Sequence, residues 1–369
     1  MSYSPSIARI IETAKADGID LAALPFAAAA FGSIDSILTP ADSTLPQFEG
    51  ATRIDTHVHA VPGWYRTLAP TAAGNPTPKW DVQSHLRFMA DNRIAHSMLC
   101  VSTPQANLFP GEEKTTVAVA RLLNEFMAAL VRTYPLRFSF QAVTPLPYTD
   151  AAIREVLYAL DHLGAVGTGV LTNHEGKYLG NQEFQPLFQV LQDRDSSREV
   201  LFIHPTDPVI NVDGALIPSN PAPYRTGLGE YYFETARAIS DLTASKTLQN
   251  FPKLHYRIAH GGGAWPSIEE RFLLGFPDIQ AAAREIYATR FWYDSAGPVY
   301  PRQIRGLLAY GVPITQLVFG TDYPYGATFW DAKANIAALE DAEFLSEEDK
   351  QGIFRDNARA LFAGNVPRF

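Results

Sequence analysis

The sequence predicts an α/β protein, a (β/α)₈ barrel preceded by a helical extension, and three observations carry that prediction. From Thr52 onward, eight short β-rich runs alternate with seven longer helical stretches. A further helical stretch follows the eighth run. Several runs end abruptly in histidine or aspartate, at the strand ends where such barrels gather their chemistry.

Taken in order, residues 1–50 stand apart. Ile7 to Ala16 has the spacing of a short amphipathic helix, Ala22 to Phe31 is alanine-rich, and Thr39 to Gly50 is a polar connector. This stretch is too short to bury a core of its own, so it is expected to pack on a body spanning 51–369. The β-rich runs are 53–58, 95–101, 137–142, 165–171, 200–203, 254–258, 290–293 and 316–319. Stretches such as 115–134 and 151–163 carry apolar residues at helical spacing. Segments 60–79 and 205–229 are rich in proline and glycine and read as long loops after the first and fifth strands, and 347–361 as the closing helix. A doubly wound open sheet would want a glycine-rich phosphate turn after its first strand, and none is there.

The composition narrows the function. Of 369 residues, 46% are hydrophobic and 19% charged, a globular balance, and the net charge is −9. An acidic chain without a basic run does not suit nucleic acid or an anionic membrane surface. No run of about 18 apolar residues appears that could span a bilayer. The apolar stretch from Leu21 to Ile37 is broken by Pro25, Gly32 and Asp35, and Met1 to Ser6 lacks a basic region, so cytoplasmic residence is expected. The single cysteine, Cys100, rules out an internal disulfide.

The most informative segment is Arg53-Ile-Asp-Thr-His-Val-His59. Residues two apart on a strand share a face, so Asp55, His57 and His59 point one way. Two imidazoles there can grip one cation. A pair of surface histidines would be the bland explanation, but three other strand ends also present polar residues: His204-Pro-Thr-Asp207, His260-Gly-Gly-Gly263 and Gly320-Thr-Asp322. A core histidine could explain any one of them, and chance explains three together poorly. His57, His59, His204 and Asp322 would give three nitrogens and one oxygen, a set that suits one Zn²⁺ per chain first and Mn²⁺ second. The Gly261–Gly263 run lacks the lysine and hydroxyl residue of a phosphate loop and is read as room for backbone beside a pocket.

This ordered set resembles the amidohydrolase superfamily and, within it, the aminocarboxymuconate-semialdehyde decarboxylase branch, over about residues 52–365. That branch includes non-oxidative decarboxylases of aromatic acids. The segment Glu175-Gly-Lys-Tyr-Leu-Gly180 and the paired histidines look closest to the 6-methylsalicylate type. The resemblance implies His57, His59, His204 and Asp322 as metal ligands and His260 as the acid/base, with Asp322 a second candidate for the proton. It matches Arg271 to an arginine that reaches the neighbouring subunit's site, and so implies a homodimer or larger assembly acting on a small aromatic carboxylic acid. Two features depart from the pattern: Thr206 replaces a tryptophan, and residues 1–50 have no counterpart in short bacterial members. Binuclear amidohydrolases place a lysine at the end of strand four. Here that stretch, 164–172, has none before Lys177, so one metal is expected.

Other candidates follow from position. Trp64 could wall an aromatic substrate or merely cover the rim, and Trp265 could line the pocket. His174 could hydrogen-bond a phenol or carboxylate, although loop histidines are commonly structural. Asp294 ends strand seven facing the same rim. His85, His96, His162 and His255 are read as structural. The expected activity is decarboxylation of a hydroxylated aromatic acid to a phenol and CO₂. The alternatives are a lactone or amide hydrolase on the same ligands, and a barrel that only binds.

Overall fold

The computed structural model describes residues 3–41, 44–220 and 222–367. Eight parallel strands form the expected barrel: β1 (Arg53–Ala60), β2 (Ile94–Val101), β3 (Phe138–Phe140 and Ala142–Val143), β4 (Thr168–Leu171), β5 (Glu199–His204), β6 (Leu254–Ile258), β7 (Phe291–Asp294) and β8 (Leu317–Val318). Each predicted run holds one of them, displaced by a residue or a few. Two ladders, β1–β2–β3 and β3–β4–β5–β6–β7–β8, share the broken third strand. It is interrupted at Gln141, whose side chain accepts from Arg257 inside the barrel.

Closure comes from strand one meeting the end of strand eight. Thr56 N donates to Phe319 O (2.9 Å), Asp322 N to His57 O (2.8 Å) and His59 N to Tyr323 O (2.6 Å). These bonds seat His57, His59 and Asp322 side by side. At the other end of the barrel, Asn357 of the C-terminal helical segment donates to the carbonyls of Leu317 and Ile314. The loop at 60–79 contains a helix (Gly63–Leu68) and a small hairpin (Thr71–Ala72 with Asn75–Pro76), and 205–229 contains a second hairpin (Val209–Val212 with Ala215–Pro218).

The extension forms α1 (Pro5–Ala16) and α2 (Ala27–Leu38). Ser4 caps α1 by accepting from Ile7 N, and Ile7, Ile10 and Ala14 bury its inner face. Ala27, Ala30, Phe31, Ile34 and Ile37 do the same for α2. Each such isoleucine or phenylalanine contributes roughly 1.5–3 kcal/mol on full burial. The partner is α3 (Glu113–Thr133), buried on nearly every side because the barrel covers one face and α2 the other. Polar ties complete the seam: Asp17 with Arg121 at 2.7 Å and Thr133 Oγ1 donating to Ile37 O.

Candidate metal centre

All eight residues of β1 are buried, because side chains of both faces lie inside the protein: the barrel interior on one side, the helical layer on the other. Asp55, His57 and His59 alternate as expected, but Asp55 sits one layer down. Its carboxylate accepts from the backbone N–H groups of His57 and Thr321 (both 3.1 Å) and from the Thr321 hydroxyl (2.5 Å). Burial pushes its pKa up to about 7. It ties strand one to strand eight and takes no part in the cluster above.

That cluster is compact. Ligand atoms of His57, His204, His260 and Asp322 lie within 4.8 Å of one another, all buried. His59 adjoins them, its Nε2 3.2 Å from His57 Nε2 and 3.0 Å from Asp322 Oδ1. The ring orientations have identifiable causes. His57 Nδ1 donates to Asp294 Oδ2 at 2.8 Å, and His204 Nδ1 donates to the Pro205 carbonyl at 2.7 Å. His59 Nδ1 lies 3.4 Å from the sulfur of Cys100, whose thiol donates to Val58 O. With the Nδ1 protons held outward, the Nε2 lone pairs turn inward toward a carboxylate. Such an array of acceptors is stable only around a positive charge.

Electrostatics say the same. Burial opposes charge on His59, yet Cys100 and Asp322 outweigh it and hold its pKa up at about 10. Burial and the neighbouring histidines push His204 well down, and burial with His57 lowers His260 to about 4. The donor set therefore fits a divalent cation, which would take the place of the proton on His59 beside the neutral His204 and His260 and the Asp322 carboxylate.

Two further side chains support this set: Asp294, which the sequence placed at the end of strand seven without a role, and Arg257, which it did not single out. Asp294 accepts from His57, from the backbone N–H of His260 (2.9 Å) and from Arg257 NH1 (3.3 Å). Burial would raise its pKa, but His57 and Arg257 hold it well below the usual carboxylate range. Arg257 lies 3.3 Å over the Phe202 ring, and burial lowers it to about 10, so it stays charged. An arginine inside an apolar strand and a carboxylate at the end of the next strand were the available signals. His260 and Asp322 both have left-handed backbone, φ +55° and +59°. Such conformations persist where surrounding bonds enforce them. Gly320 is required as well, since a Cβ there would stand 2.7 Å from His57 Cβ.

His59, His204, His260 and Asp322 line a cleft with about 800 Å³ of space, open mouth included, and His57 lies behind them. Ala72, Thr103, Tyr231, Tyr232, Tyr325 and Trp330 line much of it, and Tyr232 stacks on His260 (5.9 Å, 22°). Several residues expected to line it lie elsewhere. Trp64 stacks on Phe26 of the extension (5.5 Å, 5°), which claims its face. Trp265 is fully buried against Phe272 and Tyr287. His174 accepts from Leu171 N with Nε2 and donates to Asn107 with Nδ1, so neither nitrogen is free for substrate, and burial lowers its pKa to about 3. Arg271 is exposed in the last turn of the helix Trp265–Leu273 and does not line the cleft of its own chain.

Fold and site together define a metal-centred α/β barrel with its chemistry at the strands' C-terminal ends. The chain belongs to the amidohydrolase family, whose model matches residues 54–364. Among its relatives, the decarboxylase yanB of Aspergillus niger is 30% identical over 332 residues, covering 86% of this chain and 88% of that one. The 6-methylsalicylic acid decarboxylase of Penicillium expansum is 30% identical over 325 residues, covering 84% and 96%. A crystal structure described as an amidohydrolase II superposes with a TM-score of 0.74 at 28% identity, over 85% of this chain and all of that one. Among the described residues, no helix is long and apolar enough to cross a membrane.

Proposed function

We propose that this protein is a metal-dependent, non-oxidative decarboxylase of a hydroxylated aromatic acid of the 6-methylsalicylate kind, giving a phenol such as 3-methylphenol and CO₂. The observation that carries this reading is the convergence of His57, His204, His260 and Asp322 within 4.8 Å, the last three of them lining an aromatic-walled cleft. Relatives named as decarboxylases favour it over the lactone or amide hydrolase.

In this reading His57, His59, His204 and Asp322 hold the ion, Zn²⁺ first and Mn²⁺ second on donor chemistry. When bound, it supplies Lewis-acid charge for a carboxylate and its ortho oxygen. His260, kept neutral by burial beside His57, takes up a proton from water at the cleft and delivers it to the carboxylate-bearing ring carbon, one solvent proton being consumed per CO₂ released. Asp322, in the same cluster as His260, is the second group able to pass it. The new C–H bond forms, the C–CO₂ bond breaks, and its electron pair restores the aromatic ring. Tyr232, parallel to His260, keeps that imidazole in plane. The active unit is a homodimer or larger, with Arg271 reaching a neighbour's cleft, and it resides in the cytoplasm.

The deciding experiment strips the protein of metal, reloads it with Zn²⁺ or Mn²⁺, and measures CO₂ release from salicylates and resorcylates beside the opening of simple lactones. Lactone opening without CO₂ release would replace this reading with the hydrolase.

A further inference from the structure

Among the described residues, the cleft lining contains neither lysine nor arginine, although an acid must bring a negative charge past it. One guanidinium stands directly behind the wall. Arg225, exposed in the loop after β5, donates from NH1 to Asn75 Oδ1 at 2.6 Å. Asn75 is itself buried and lines the cleft, on the small hairpin after β1.

The two loops are clasped there. Gly227 N donates to Ala73 O (3.0 Å), and Thr226 Oγ1 donates to Asp207 Oδ1 (2.6 Å). The approach is close enough to require glycine, since a Cβ on Gly227 would meet Ala73 Cβ at 2.8 Å. The backbone around Arg225 is therefore pinned at the mouth, while its side chain is held to the wall through a neutral amide oxygen. A carboxylate offers the same fork two parallel, charge-assisted bonds and outcompetes that amide.

We infer that Arg225 is the docking cation of the cleft: it captures the carboxylate of an arriving aromatic acid in exchange for Asn75 Oδ1, and the released Asn75 amide turns to a polar ring substituent inside. This rests on the acid-substrate reading above and acts within one chain, unlike the role given to Arg271.

The test is calorimetric titration of zinc-loaded wild type, Arg225→Gln and Arg225→Lys with salicylate and with uncharged 3-methylphenol, at two salt concentrations. Arg225→Gln should weaken salicylate roughly tenfold, one charge-assisted bond's worth, and leave 3-methylphenol unchanged. The salt dependence of salicylate binding should shrink with it, and Arg225→Lys should recover part of the loss. Equal salicylate affinity in wild type and Arg225→Gln overturns the inference, and so does a parallel loss for the phenol, which makes Arg225 only a brace of the loop. Salicylate bound by wild type but never decarboxylated retires the decarboxylase reading alone. If wild type binds no aromatic acid, both fall.

Discussion

Two buried arginines sit in opposite parts of this molecule and do different work. Beneath the metal cluster, Arg257 pairs with Asp294, which accepts from two cationic or imidazole donors and two backbone N–H groups. In the seam, Arg121 pairs with Glu155 at 2.8 Å and Asp17 at 2.7 Å and lies over the Tyr158 ring. Asp294 is held well below the usual carboxylate range, whereas burial pushes Glu155 up to about 7 despite Arg121. The difference lies in the surroundings. Asp294 is encircled by donors, while Glu155 shares its site with Glu125. A buried ion pair thus serves to aim a ligand in one place and to dock an extension in the other.

The largest effects are expected at the ligands themselves. His57→Ala or His204→Ala should remove the bound metal and the activity together, because a donor is lost from a set with one nitrogen each from separate anchors. Full metal occupancy by elemental analysis in both variants would refute the assignment. Next in size, His260→Ala should keep the metal and lose about 10²- to 10⁴-fold in turnover, the usual worth of a proton carrier. Metal lost instead would make His260 a ligand, which its place among the four mutually close donors allows.

The two arginine–carboxylate pairs can be set against each other directly. Asp294→Asn should weaken metal binding by about 10- to 100-fold through the loosened His57 ring, with modest change in melting temperature. Arg121→Met should do the reverse. Leaving Glu155 buried without its partner costs about 3–5 kcal/mol of folding stability, read by denaturant unfolding, with metal content per folded chain unchanged. If Arg121→Met lost metal and Asp294→Asn did not, the two pairs would not divide these tasks. The smallest structural effect belongs to Arg271→Ala, which on an exposed side chain should cost about 0–1 kcal/mol of stability. Its effect on activity is separable by mixing inactive His260→Ala with inactive Arg271→Ala subunits. Some activity returns only if the arginine works in a partner's site, and near-normal turnover of an Arg271→Ala monomer ends the idea.

Residues two apart in Arg53–His59, and polar residues terminating apolar runs at His204, His260 and Asp322, were legible in the sequence because strand periodicity and strand ends are local properties. The eight-strand alternation was legible for the same reason. What the chain alone left open depends on neighbours far apart in sequence. Trp64 is claimed by Phe26 and His174 by Asn107, partners 38 and 67 residues distant, so a loop aromatic and a loop histidine that looked available are not. Asp294 and Arg257 acquire their purpose only where β6 and β7 lie side by side beneath His57. Local pattern, set by covalent spacing and hydrophobicity, determined which residues could serve. Tertiary packing decided which of them face one point, because burial and hydrogen-bond partners, not residue type, fix where a lone pair is aimed.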